Sequence, residues 1–257
     1  MSVIYLSKVQ DNTFPLEWYD ASNENHFWFK LRLLWTKHLM NCAGIDFSSS
    51  LKVLDVGGGT GVFASQIENA CSWEVDIVDL DLKALEAAPN LKGKKYFYDI
   101  NEREASMKEK FDGIFIMDVV EHISNEAEFV NAALFHLKPG GFILIHVPAI
   151  NLLMSPYDAA VGHLRRYSKL SLSEIIPHDK IGNVRFHYWG VIFIPILIAR
   201  FFLHKILRVS KSEIIKSGFN PPSNLVNWIF YIMGKVDFVL LRGFPIGSSL
   251  FCLGVKK

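Results

Sequence analysis

Cysteine is scarce: Cys42, Cys71 and Cys252 are the only three in 257 residues. They are odd in number, far apart and form neither a C-x-x-C pair nor a Cys/His cluster. A disulfide framework and a structural zinc site are both excluded as expectations. Charge of one sign is missing as well, with 27 Lys and Arg against 26 Asp and Glu and a formal net charge of +1. That balance removes the global basic field expected of a nucleic-acid binder, so no nucleic-acid partner is expected. No long apolar stretch follows a basic start near Met1, so no secretory signal is expected. Together with free cysteines this points to the cytoplasm. Internal repeats and low-complexity tracts are also lacking.

What the chain does have is apolar bulk. Half of its residues are hydrophobic and 13% are aromatic, which is enough for a substantial core and excludes a disordered chain. The mean hydropathy of +0.21 is high for a soluble enzyme, and the excess sits mainly in the C-terminal third. Apolar, β-branched runs at 51–56, 75–78, 111–117 and 142–147 predict strands, with a fifth at 94–98. Helical patterns lie between them at 62–70, 82–88 and 126–137, the last with Ser124 as its N-cap and Lys138-Pro139-Gly140-Gly141 as its stop. Alternating strands and helices predict an α/β, doubly wound, mostly parallel sheet with helices on both faces. Residues 14–40 are aromatic-rich and predicted helical, and 183–188 and 248–256 read as two last strands. The expected division is an N-terminal helical lid (1–50), a Rossmann-like ligand domain (51–188 with 246–257) and a hydrophobic insertion or cap (189–245).

The most specific segment is Val53-Leu54-Asp55-Val56-Gly57-Gly58-Gly59-Thr60-Gly61, a strand running into a glycine-dense turn that opens a helix. Glycine suits a turn against which a ligand lies, because a Cβ would block the approach. A dinucleotide site would want G-x-G-x-x-G, but that spacing from Gly57 falls on Val62. The pattern Asp55-x-Gly57-x-Gly59-x-Gly61 instead resembles the first motif of class I S-adenosylmethionine-dependent methyltransferases. Four further features resemble the same family in order: Asp79 with Leu80 after the second strand, Asp99-Ile100 after the third, 111–118 on the fourth, and the turn 137–141 into the fifth. The resemblance implies S-adenosylmethionine as cofactor and a seven-stranded sheet whose last strand is antiparallel. It also implies cofactor contacts from Asp55, Gly57, Gly58, Gly59, Gly61, Asp79, Leu80, Asp99, Ile100 and Asp118.

On the acceptor side, Asp118-Val119-Val120-Glu121-His122 looks like the E-x-x-E-H run of ubiquinone-biosynthesis and small-RNA O-methyltransferases, where such residues can hold a divalent ion. The first acid here is Asp, which shortens the reach, so no metal is assigned. Residues 151–168 concentrate Asp158, His163, Arg165, Arg166 and Tyr167, and resemble the "D…GH-x-R-R-Y" stretch of a bacterial subgroup. His163, His122 and His146 are the candidate bases. Asp158, Arg165, Arg166 and Tyr167 are the candidate acceptor contacts. Asn25-His26-Phe27-Trp28-Phe29-Lys30-Leu31-Arg32 resembles the same subgroup's entry helix and would bring Arg32 to the methionine carboxylate.

Oxygen is the expected methyl acceptor, since histidines are plentiful and no Asn/Asp-Pro-Pro-aromatic tetrad follows Met117. The acceptor is expected to be small or lipid-linked: a saccharide, quinone or phenol. A non-catalytic adenosylmethionine-binding scaffold is the alternative, and a nicotinamide enzyme is disfavoured by the missing glycine. Residues 188–199 carry no charge but would rise only about 18 Å as a helix, too short to span a bilayer. Between Ala199 and Ser217 there are five Lys or Arg and one acid, Glu213, and a second apolar run occupies 225–233. This segment reads either as a cap or homodimer surface, or as peripheral contact with the inner face of an anionic membrane.

Overall fold

A computed structural model describes residues 2–8, 24–207 and 223–257. Eight strands form one sheet: β1 (Ile4–Tyr5), β2 (Lys52–Val56), β3 (Glu74–Asp79), β4 (Lys95–Phe97), β5 (Phe111–Met117), β6 (Leu137–Pro148), β7 (Ile181–Trp189) and β8 (Ser249–Lys256). Their order is β1-β4-β3-β2-β5-β6-β8-β7. β8 runs antiparallel to both β6 and β7, and the other pairings are parallel. One strand more is present than the resemblance implied. Ile4–Tyr5 is only two residues long and has no readable period, yet Leu6 and Ser7 both donate their N–H to the Phe97 carbonyl and hold it on the edge.

The helices are α1 (Phe27–Cys42), α2 (Val62–Ala70), α3 (Leu82–Ala87), α4 (Glu126–His136), α5 (Pro156–Ala160), α6 (Lys169–Glu174), α7 (Ile194–Leu207) and α8 (Asn224–Val236). Two buried clusters, one on each side of the sheet, confirm helices on both faces. The predicted helix at 14–40 begins at Phe27 among the described residues, and 9–23 lie outside them. α4 is capped by Asn125 rather than Ser124: the Asn125 carboxamide accepts from the Glu128 N–H, and Glu126 and Glu128 favour the positive end of the helix dipole.

From β2 the chain crosses outward to β3 and β4, then returns to place β5 on the other side of β2. The order therefore reverses at the carboxyl ends of β2 and β5, where ligands of doubly wound sheets sit. The glycine turn and Asp118 emerge there.

α8 and the turn that follows it are fastened to α1. The Asn227 carboxamide accepts from the Phe27 N–H at 2.8 Å, Phe230 stacks edge-on with Phe27, and Phe238 meets Trp35 edge-on. A Cβ on Gly234 would lie 2.1 Å from Leu31 Cδ1, so only glycine lets α8 approach α1 this closely. At the end of α8 a π-helical turn (Asp237–Leu241) buries Asp237, whose carboxylate accepts from the Gly190 and Ile192 N–H groups at 2.8 and 3.0 Å. Asp237→Ala would orphan both donors, and the unfolding free energy should fall by about 3 kcal/mol in a urea titration. An unchanged midpoint would mean that packing alone holds α8.

Candidate functional site

The glycine turn has the geometry its composition requires. Gly57, Gly59 and Gly61 have φ of +71, +51 and +69°, the left-handed region costly for any residue with a Cβ. Asp79 latches the turn from the next strand: its carboxylate accepts from Gly59 N–H at 2.8 Å and from Asp81 N–H at 2.9 Å. Between turn and α1 lies a pocket of about 150 Å³ lined by Phe29, Arg32, Asp55, Gly57, Gly58 and Met117, among others. Asp55 is buried at its base. Burial pushes its carboxyl up to about 7, with Asp79 adding to the rise and Arg32 opposing it.

Arg32 crosses the pocket between the rings of Phe29 and Phe63, each 5.0 Å from its guanidinium carbon. Its Nη1 donates to Asp118 Oδ2 at 2.7 Å, while its buried Nε has no hydrogen-bond partner. The other Asp118 oxygen lies 2.7 Å from His146 Nδ1, and His146 Nε2 accepts from the Trp189 indole N–H at 3.0 Å. Burial alone would raise the Asp118 carboxyl, but His146 and Arg32 outweigh it and hold it well below the usual carboxylate range. Asp118 also has φ +59°, a strained conformation for a non-glycine residue and one that clusters at functional sites.

His146 is fully buried, with Nε2 taken by the Trp189 indole and Nδ1 beside Asp118, a placement that suits positioning of Asp118.

Next to Asp118, a 3-10 turn (Val120–His122) presents Glu121 and His122 to the loop carrying His163. His163 Nδ1 lies 2.9 Å from Asp158 Oδ1, and its Nε2 lies 3.8 Å from Glu121 Oε1. The Asp158 carboxylate is fully buried and also accepts from the Ser155 N–H and hydroxyl. Burial would raise it, but the His163, Arg166 and Ser155 hydrogen bonds keep it well below its ordinary range. The His122 ring is 4.9 Å from that of His163, and its Nδ1 is 3.2 Å from the Gly162 carbonyl. Burial, aided by His163, pushes His122 down to about 4, too weak a base for neutral pH. Glu121 is the residue that the sequence reading left unassigned. Both its oxygens are buried without a hydrogen-bond partner, and burial plus the Asp118 charge raise its carboxyl well above the usual range. Ligand atoms of Glu121, His122 and His163 all lie within 4.8 Å of one another, a grouping that could hold a cation. The E-x-x-E-H-like run was the available signal, but its partner His163 is 41 positions away in sequence.

Other predicted contacts have structural work. Arg166 is buried, with Nε and Nη2 on Asp158 and Nη1 donating to the Ala149 carbonyl, so it braces the loop. Tyr167 is buried in the core and bridges to Ala149. Arg165 pairs with Glu126 of α4. Asp99 caps the 3-10 turn after β4 by accepting from the Asn101 N–H, Ile100 packs into the core, and Leu80 sits half-buried behind Asp79.

Residues 27–178 match the model of a methyltransferase domain family. The chain belongs to that family. It falls within the class I S-adenosylmethionine-dependent superfamily, and S-adenosylmethionine is its cofactor. Among curated proteins it is similar to the ubiquinone biosynthesis O-methyltransferases of Albidiferax ferrireducens, 31% identical over 49% of this chain and 51% of that protein, and Bartonella tribocorum, 32% identical over 37% and 40%. The chain thus spans about half the length of the curated relatives it matches. In fold it is similar to a putative methyltransferase of Haloferax volcanii solved in complex with the Trm112 methyltransferase activator (TM-score 0.59, 13% identity, 95% and 99% coverage). It is also similar to Haemonchus contortus phosphoethanolamine N-methyltransferase 2 (TM-score 0.55, 18% identity, 86% of this chain and 53% of that one).

Two features suit this cofactor: a glycine-dense turn against which it can lie, and an arginine in the pocket wall whose buried Nε has no hydrogen-bond partner. The Asp55 carboxyl sets a pH test. Burial pushes it up to about 7, so if its ionised form attracts the cofactor's ammonium group, adenosylmethionine affinity should rise between pH 6 and 7.5. Calorimetry should find that dependence lost in Asp55→Asn. A slope of equal size in the variant would assign the titration elsewhere.

Proposed function

We propose that this chain methylates a hydroxyl oxygen of a small hydroxylated ring of the quinone or phenol class. The Asp158–His163 pair carries the reading, because it holds an imidazole with one nitrogen on a buried carboxylate and the other directed toward Glu121. Arg32, Asp55 and Asp79 are the residues we assign to the cofactor's methionine carboxylate, ammonium group and ribose. The names of the relatives support an O-methyl acceptor. Leu152 and Leu164, both exposed in the same loop, suit an acceptor that is apolar around its hydroxyl or carries a lipid tail.

When bound, S-adenosylmethionine supplies an electrophilic methyl group. Beside it, His163 Nε2 would take the proton of the acceptor's hydroxyl, Asp158 would stabilise the resulting imidazolium, and His163 would return that proton to water. The scaffold's contribution is orientation and proton removal. With a prenylated hydroxybenzene as acceptor, His163→Ala should lower kcat by about 10²–10⁴-fold and leave the adenosylmethionine Kd unchanged. Full activity in the variant sinks this assignment.

A second reading adds a divalent cation, favoured by the unpartnered Glu121 carboxylate. Glu121, His122 and His163 would hold it, with Asp118 nearby, and the ion would lower the acceptor hydroxyl's pKa. Without an ion the sign is clear: a carboxyl raised in the folded state destabilises it as pH climbs from the unfolded value, near 4.3, through the folded one. Glu121→Gln should therefore raise the neutral-pH Tm by roughly 2–4 °C, while Mg²⁺ or Mn²⁺ should raise the Tm of the unmodified chain only. Equal ion response in both rejects the cation.

A further inference from the structure

The residues between β7 and β8 present an apolar face that the methyl-transfer reading leaves without a role. From α8 through the π-helical turn, residues 224–241 form a helix long and apolar enough, by length and composition, to cross a membrane. Its two sides differ. Asn227, Phe230, Gly234, Asp237 and Phe238 face α1 and the end of β7. Leu225, Trp228, Ile229, Ile232, Val236 and Leu240 recur at spacings of three and four on the other side and are all exposed, Trp228 by 60% and Leu240 by 70%.

We infer that this stripe lies in the plane of an anionic lipid leaflet as a peripheral anchor. Spanning is disfavoured by the docked side. Crossing the bilayer would strip the helix from α1, break both Asp237 hydrogen bonds and bury Asp237 and Lys235 in hydrocarbon. Charge selects the occupant. Residues 190–246 contain seven Lys or Arg, Lys235 and Arg242 among them, and two acids, Glu213 and Asp237. Asp237 is buried. Three of the seven, Arg208, Lys211 and Lys216, together with Glu213, lie outside the described residues and enter by sequence alone. An isologous contact with a second copy would set two basic segments against each other with one acid apiece, besides the buried Asp237, to offset them. An anionic leaflet offers the complementary charge, and a Trp with flanking Lys and Arg suits the headgroup boundary. This inference is independent of the acceptor.

Flotation of the full chain with phosphatidylcholine vesicles, with and without phosphatidylglycerol, tests it. Binding should require the anionic lipid and weaken as salt is raised. Ile229→Asn with Ile232→Asn should weaken it at least about tenfold while leaving adenosylmethionine affinity unchanged. Brominated lipid should quench tryptophan fluorescence, and Trp228→Phe should remove most of that quenching. Three outcomes would overturn the proposal: no flotation on anionic vesicles, flotation that the double variant leaves intact, or light scattering that finds a dimer which the double variant splits.

Discussion

One half-buried carboxylate organises this molecule. Asp118 ends β5 in a left-handed conformation and is gripped by Arg32 from α1 and His146 from β6, while Trp189 at the end of β7 fixes the His146 ring. Four elements far apart in sequence meet at that group, beside the point where the strand order reverses. A carboxylate in such a place is costly unless every lone pair has a partner. Here the partners come from the lid helix and the far strands, so the charge obliges those elements to stay where the pocket needs them. Removing Arg32 or His146 would leave the half-buried Asp118 with one of its two partners, and would release either the lid helix or the β6 side chain from the site.

The same edge of the sheet carries Asp55, Asp79, Glu121 and Asp158, and their environments separate them. Asp158 and Asp118 are held ionised by cationic and neutral donors. Asp55 is raised to about 7 by burial, and Glu121, whose side-chain oxygens are buried without a hydrogen-bond partner, is raised well above the usual range by burial and the Asp118 charge. Neighbouring carboxyls with opposite shifts are a mark of sites that handle protons or cations. The division falls along the site's geometry: the group near 7 faces the cofactor pocket, and the strongly raised one faces the acceptor loop.

The glycine turn, Asp79 and the sheet were legible because each depends on local chemistry: φ above zero, a strand end, a period of two. The helix at 62–70 and the strand at 111–117 sit where the pattern put them for the same reason. Roles set by distant partners were not legible. His146 reads as a candidate base until Trp189, 43 positions later, takes its Nε2. Arg166 and Tyr167 read as acceptor contacts because polar tips in a loop suggest exposure, yet Asp158 and the Ala149 carbonyl draw them into the core. Glu121 was visible in its motif, but its isolation from any donor is a property of the fold alone. The two-residue β1 has too few residues to carry a pattern, and its existence rests on one carbonyl of Phe97.

The insertion shows how fastening and exposure can be written into one helix. A helix that merely covered the domain would need a single apolar face, but α8 has apolar residues on both of its sides. Gly234 and Asp237 decide which side turns inward: the first permits close approach to Leu31, and the second accepts the two N–H groups that open the turn after β7. Aromatic packing against Phe27 and Trp35 then fixes the rotation. With the inward side specified by a glycine and a buried acid, the outward side need not be polar for the helix to dock in one way. Its remaining apolar residues are exposed and belong to neither buried cluster among the described residues. On the same insertion, Arg200 of α7 lies 4.2 Å over the Tyr157 ring in α5, three residues into the loop that ends in His163. The loop that carries His163 is thus packed against α7 of the same insertion.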